Sequence, residues 1–296
     1  MPQLGQSSRS MLFPVFLLII SMVSIQSSAT LAKTLFPLIG PEGVTALRLG
    51  FSSLILLAVF RPWRNRVPLR AWRSIIVYGV ALGFMNLTFY MAIKTIPLGI
   101  AVALEFTGPL AVAMLSSRKV VDFFWIGLAV LGLYLLLPIG DSIENVDPKG
   151  AMLALSAGVC WALYIIFGKR AGSASGSASV ALGTLVAASI IFPIGFYHAG
   201  TAMFSPSILP IALLVGIFSS ALPYGLEIVA LTRLPSQTFG TLMSVEPALA
   251  ALFGYIFLHE ALTTGQWAAL LCIIVASIGA TMTIGKSKTA IKEIET

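Results

Sequence analysis

The sequence predicts an all-α polytopic membrane protein: ten transmembrane helices arranged as two inverted-topology five-helix repeats, with both termini cytoplasmic. Three observations predict it. Hydrophobic residues make up 58% of the 296-residue chain and charged residues only 10%, against about 25% charged in a soluble domain. The apolar residues fall into ten runs, each close to the ~20 residues a helix needs to cross a bilayer. A set of residues also recurs at a fixed offset of 138.

The runs lie near 12–32, 43–60, 74–93, 98–116, 121–138, 150–168, 179–197, 208–230, 238–258 and 266–284, each bounded by Pro, Gly or charge. Lipid offers nothing to an unpaired backbone group, so the runs are read as helices rather than open strands. The first run follows Arg9 and precedes Ser27-Ser28-Ala29, which mimics a secretory leader. It continues through Leu31 at span length and has a counterpart later in the chain, so it is read as a span. The fourth run is interrupted by Glu105 and Pro109.

Charge sets the direction. Arg9, Arg61, Arg64, Arg66, Arg70, Arg73, Arg118, Lys119, Lys169, Arg170, Arg233, Lys286, Lys288 and Lys292 all fall on one side of the ten-span path. The other side carries Lys33, Lys94 and Lys149 and an acidic loop with Asp141, Glu144 and Asp147. Positive loops stay inside, which puts both termini in the cytoplasm.

The repeat follows from matched positions. Pro97 and Pro109 correspond to Pro235 and Pro247, and Asp122 and Gly127 to Glu260 and Gly265, all at an offset of 138; Lys33 and Lys169 correspond at 136. The expected units are 12–140 and 148–284, followed by a cytoplasmic tail, 285–296. Five spans is an odd number, so the second unit enters the bilayer upside down, an arrangement found in secondary transporters with a substrate site near the midplane. A duplicated scaffold without transport is the plainer alternative.

Other classes find little support. The net charge of +7 comes from residues between apolar runs, with no basic stripe interleaved with aromatics, so no nucleic-acid partner is expected. Cys160 and Cys272 sit inside apolar runs, and no disulfide framework or Cys/His metal spacing exists. No HExxH, Walker loop, GxSxG or GxGxxG occurs. Neither an enzyme nor a cofactor is expected. Without a nucleotide-binding motif, uphill transport would draw on an ion gradient or on exchange.

Polar groups inside spans are the candidate site. An ionised side chain at mid-bilayer costs about 2.5–3.5 kcal/mol on insertion scales. Glu105 and Glu246 both fall near the middle of their spans. Each is read either as a ligand for a substrate amine or proton, or as a neutral acid bonded between helices. Pro109 and Pro247 lack an N–H, which frees the carbonyls of Glu105 and Met243. A carboxylate and a spare backbone acceptor within one turn would suit an ammonium; a kink met by water or a hydroxyl is the plainer reading. Arg48 is either a substrate-carboxylate ligand, a partner for Glu105, or a cation snorkelling to the outer surface. Gln26, Asn86, Tyr90, Trp161, Tyr164 and Tyr224 are candidate cavity-lining groups, with packing or an interfacial belt as the alternative for the aromatics. Lys33 and Glu227 are candidates for gating. The pairs Gly79/Gly83 and Ala154/Gly158 suit close helix packing.

Several blocks carry a resemblance. Thr95-Ile-Pro97 through Glu105-Phe-Thr-Gly-Pro109, with Ser24-Ile-Gln26, Leu31-Ala-Lys33, Gly43 to Arg48, Ala230 to Pro235 and Phe239 to Pro247, resemble the EamA family of the drug/metabolite transporter superfamily. Within that family they resemble the subgroup that exports threonine and homoserine, and the likeness spans about residues 12–285. It implies ten helices, a central cavity between the halves, and efflux of these amino acids across the bacterial inner membrane, in exchange for protons. Glu105, Glu246, Arg48, Lys33 and Gln26 lie in the matching blocks without roles assigned by the resemblance. A broader metabolite or drug exporter, a membrane enzyme and a non-transporting scaffold are the alternatives. The expected partners are a small amino acid, protons and the lipid bilayer, with oligomeric state left open.

Overall fold

The computed structural model describes residues 8–64, 67–115, 120–136, 146–223, 226 and 242–294. Every regular element among these residues is helical. They are α1 (Ser8–Phe60), α2 (Leu69–Ala92), α3 (Leu98–Leu115), α4 (Val120–Leu136), α5 (Pro148–Ser175), α6 (Ala178–Ala199), α7 (Leu209–Gly216), α8 (Glu246–Leu258) and α9 (Thr264–Ile294). Short 3-10 turns occupy Pro62–Arg64 and Gly200–Phe204, and α7 continues as a π-helical turn, Ile217–Ala221. Among the described residues four stretches are long and apolar enough to cross a membrane: Phe13–Arg64, Leu69–Ala92, Pro148–Ser175 and Ala178–Phe204. The remaining apolar helices are shorter.

Element α1 holds two of the expected spans. At Gly40 its backbone leaves the helical region (φ 66°, ψ 165°), between Pro37 and Pro41. A glycine adopts that conformation without a Cβ clash. The Ser28 hydroxyl donates to the Val215 carbonyl and the Ser52 hydroxyl to the neighbouring Gly216 carbonyl, both at 3.1 Å. A straight helix would set Ser28 and Ser52 about 36 Å apart at 1.5 Å per residue. The chain therefore folds back at Gly40, and the two arms lie side by side. The sequence places a connection between residues 32 and 43; the break falls within it at Gly40, and Lys33 lies on the helical arm before it.

Those serines also explain how a π turn survives in an apolar helix. The i→i+5 geometry disturbs the regular hydrogen-bond ladder, and lipid supplies no substitute partner. Ser28 and Ser52 reach the carbonyls just before the turn, and Ser24 donates to Phe218 within it at 2.7 Å. Each such bond contributes about 1 kcal/mol net.

Helix α2 packs chiefly on α5 and α6, α1 on α6 and α7, α3 on α5 and α8, and α4 on α9. Gly79 and Gly83 admit α6 at Gly183, Val186 and Ala187, as the small-residue spacing predicts. Helix α5 is capped by Asp147, whose carboxylate accepts from the Lys149 and Gly150 amides at 3.2 and 3.1 Å. The Thr95 hydroxyl and then these two amides hold its carboxyl below the ordinary carboxylate range.

Two helix pairs run antiparallel. Leu98 and Gly99 of α3 lie against Glu260, Gly254 and Ala251 at the far end of α8, while Glu105 lies towards Glu246 at its start. In α4 and α9, Trp125 meets Gly279 and Gly132 meets Ala269, Cys272 and Ile273.

Candidate functional site

Glu105 sits inside α3, 8% exposed. Two glycines bring α5 against this turn. A Cβ on Gly108 would overlap the Gly158 carbonyl, and one on Gly158 would lie 2.8 Å from the Glu105 carbonyl oxygen. The sequence offers the carbonyl freed by Pro109 as a spare acceptor for an ammonium. In the structure that carbonyl faces the α5 backbone, so the gap left by the missing N–H is closed by helix packing. The carboxylate remains as the candidate ligand group of this turn.

Glu246 differs. It opens α8, with Val245 as N-cap and Pro247 within the first turn, and two residues separate it from a helical turn at 242–243. Proline is tolerated there because the first N–H groups of a helix have no helical acceptor. A carboxylate in a first helical turn is favoured by the helix dipole. Glu246 is 5% exposed and accepts a hydrogen bond from Gln26 Nε2 at 3.3 Å. It is also close enough to Glu105 for their charges to interact, as Arg48 is.

Arg48 completes the group. Its guanidinium lies over the Tyr90 ring, 5.1 Å from the centroid. Tyr90 is 1% exposed and packs on Phe36 and Phe89. Among the described residues, Gln26 Oε1, Arg48 Nε and the Tyr90 hydroxyl are buried without a hydrogen-bond partner. An unmet buried polar group costs about 1–3 kcal/mol. One acceptor, one cationic donor and one hydroxyl are thus left open beside two carboxylates. That set can hold a small molecule bearing both charges.

The other candidates separate. The Asn86 amide donates to Leu82 one turn back at 2.8 Å. Tyr164 stacks on Tyr78 at 4.8 Å, and Trp161 meets Phe106 edge-on at 5.6 Å, next to Glu105. Both aromatics therefore have packing partners. Tyr224 and Glu227 lie outside the described residues. Lys33 pairs with Glu260 across 2.5 Å, and the other Glu260 oxygen accepts from the Leu98 amide at 2.7 Å. Sequence reasoning did not single out Glu260 as a candidate; its match to Asp122 in the repeat was the available signal. No cluster of three or more His, Cys, Asp or Glu residues suited to a metal occurs among the described residues.

Buried charges on a bundle of apolar helices define a membrane transporter, and comparison with known proteins agrees. The EamA-like transporter family model matches residues 12–137 and again 148–282. The chain belongs to this family. It is 57% identical to the threonine/homoserine exporter RhtA of Escherichia coli (strain K12) over 95% of both chains. The same identity and coverage hold for the threonine/homoserine exporter RhtA of Salmonella typhimurium (strain LT2). An uncharacterized transporter, YwfM of Bacillus subtilis (strain 168), is 26% identical over 85% of this chain and 90% of its own. A crystal structure at 19% identity superposes with a TM-score of 0.61 over 94% of this chain and 98% of the other, which is a likeness of fold.

Proposed function

We propose that this protein exports small neutral amino acids, first of all L-threonine and L-homoserine, from the cytoplasm across the bacterial inner membrane. The observation that carries this is the 57% identity, over 95% of the chain, to exporters so named.

Transport follows an alternating-access cycle between two inverted five-helix units, 12–140 and 148–284, with both termini and the tail 285–296 in the cytoplasm. The double family match and the antiparallel courses of α3 with α8 and α4 with α9 support this arrangement. The substrate ammonium binds between Glu105 and Glu246, and its carboxylate meets Arg48. Tyr90 and Gln26 offer the remaining polar contacts. A proton on Glu105 competes with the ammonium for the same oxygens. Loading with a proton from outside therefore releases the amino acid there, and inward proton flow drives export.

The test is efflux of labelled threonine and homoserine from proteoliposomes holding the purified carrier. Export above protein-free vesicles, inhibited by unlabelled threonine and homoserine, supports the reading. Equal inhibition by unrelated apolar compounds would favour a broader exporter. One observation leans that way: a largely apolar cavity of about 680 Å³ lies beside Val23, Ser27, Phe218, Phe253 and Phe257. Glu105, Arg48 and Tyr90 do not line it.

A further inference from the structure

Glu260 joins three segments at one point. One carboxylate oxygen pairs with Lys33 on the first arm of α1, and the other accepts from the Leu98 amide, the first residue of the helix that carries Glu105. The local structure is built for this. His259 takes a left-handed conformation (φ 55°, ψ 31°) that ends α8. The Glu260 amide then returns to the Gly254 carbonyl at 3.1 Å, which directs the side chain back along the helix. Its carboxylate lies in a notch that a Cβ at Gly254 would fill. This salt bridge joins residues 227 positions apart in the chain. It closes the end of the bundle where α1 turns and α3 begins, the end that the basic-residue distribution assigns to the outside.

We infer that Glu260, with Lys33, is a positioning residue of the transport cycle: the outer latch that holds the path to Glu105 shut on the extracellular side. Opening outward parts α8 from α3 and α1, so the ion pair and the cap on Leu98 break together.

This inference rests on the exporter reading, and the test separates the two. Lys33→Cys and Glu260→Cys are introduced together into a carrier freed of Cys160 and Cys272, then joined by a short bifunctional thiol reagent whose disulfides a reductant cleaves. The expected result is efflux of labelled threonine reduced at least tenfold by cross-linking and restored by reductant, with threonine still bound by the locked carrier. Restoration shows that the protein is folded. Undiminished efflux from cross-linked carrier would overturn the latch, as would failure to cross-link in a carrier that transports. Absent efflux before cross-linking, in the wild-type carrier as well, would count against the exporter reading itself. Glu260→Gln adds a finer readout. Its amide oxygen still caps Leu98 but lacks the charge for Lys33, so the rate of opening changes while half-saturation by substrate from the cytoplasmic side does not. Equal shifts in both would mark Glu260 as merely structural.

Discussion

Gln26 and Glu246, 220 residues apart in the chain, meet at 3.3 Å in the buried centre of the bundle. The contact joins the first helix of one half to the first turn of α8 in the other. It leaves Gln26 Oε1 open as an acceptor beside the carboxylate. Replacing Gln26 by Leu removes a donor to Glu246 and that acceptor together. Export is expected to fall about tenfold, the effect of a loss near 1.4 kcal/mol, as read from initial efflux rates. Unchanged rates would remove Gln26 from the site.

The two carboxylates occupy unlike settings, and their variants should differ. Glu105 lies within an unbroken helix, whereas Glu246 has a helix dipole and an amide donor beside it. Glu105→Gln is expected to abolish export driven by a proton gradient while leaving the fold intact. Glu246→Gln should retain measurable driven export with a raised half-saturating concentration. The same loss in both would mean that they act as one unit.

Tyr90→Phe is a narrow probe, because it keeps the ring beneath Arg48 and removes only the unpartnered hydroxyl. If that hydroxyl contacts substrate, affinity falls by about tenfold, while thermal stability stays constant or rises, since an unmet buried group is gone. A drop in stability with affinity unchanged would place its partner within the protein. Arg48→Lys keeps a charge but loses the planar donor fork, and should weaken binding more than Tyr90→Phe.

The crossing of α3 and α5 allows no side chain at its centre. Gly108→Ala would drive a methyl group into the Gly158 carbonyl. Overpacking of this kind costs about 1–3 kcal/mol. The variant should melt several degrees lower in detergent and lose transport through displacement of Glu105. A carrier with wild-type melting behaviour would show that the helices part easily there.

Much of this was legible in the sequence, for definite reasons. Hydropathy and the Gly79/Gly83 spacing report burial and close approach directly, and both reappear as packed helices. Glu105, Glu246 and Arg48 stood out because charge is costly in lipid. Glu260 did not, because a glutamate at a span end reads as ordinary loop chemistry until the fold brings Lys33 and Leu98 to it. The setting of Glu246 was also hidden. Pro247 marks an interruption of the apolar run, and only the backbone shows that Glu246 falls in the first turn that follows it. The close approach of α5 to the Glu105 carbonyl was hidden for a related cause, since composition does not reveal which helix lies against it.

The most direct measurement is threonine efflux from loaded proteoliposomes with and without an imposed proton gradient, acid outside, for the wild-type carrier and Glu105→Gln. The expected result is efflux accelerated by the gradient in the wild type and indifferent to it in Glu105→Gln. Full gradient-driven efflux by Glu105→Gln would contradict the role of Glu105 as the shared site for proton and ammonium.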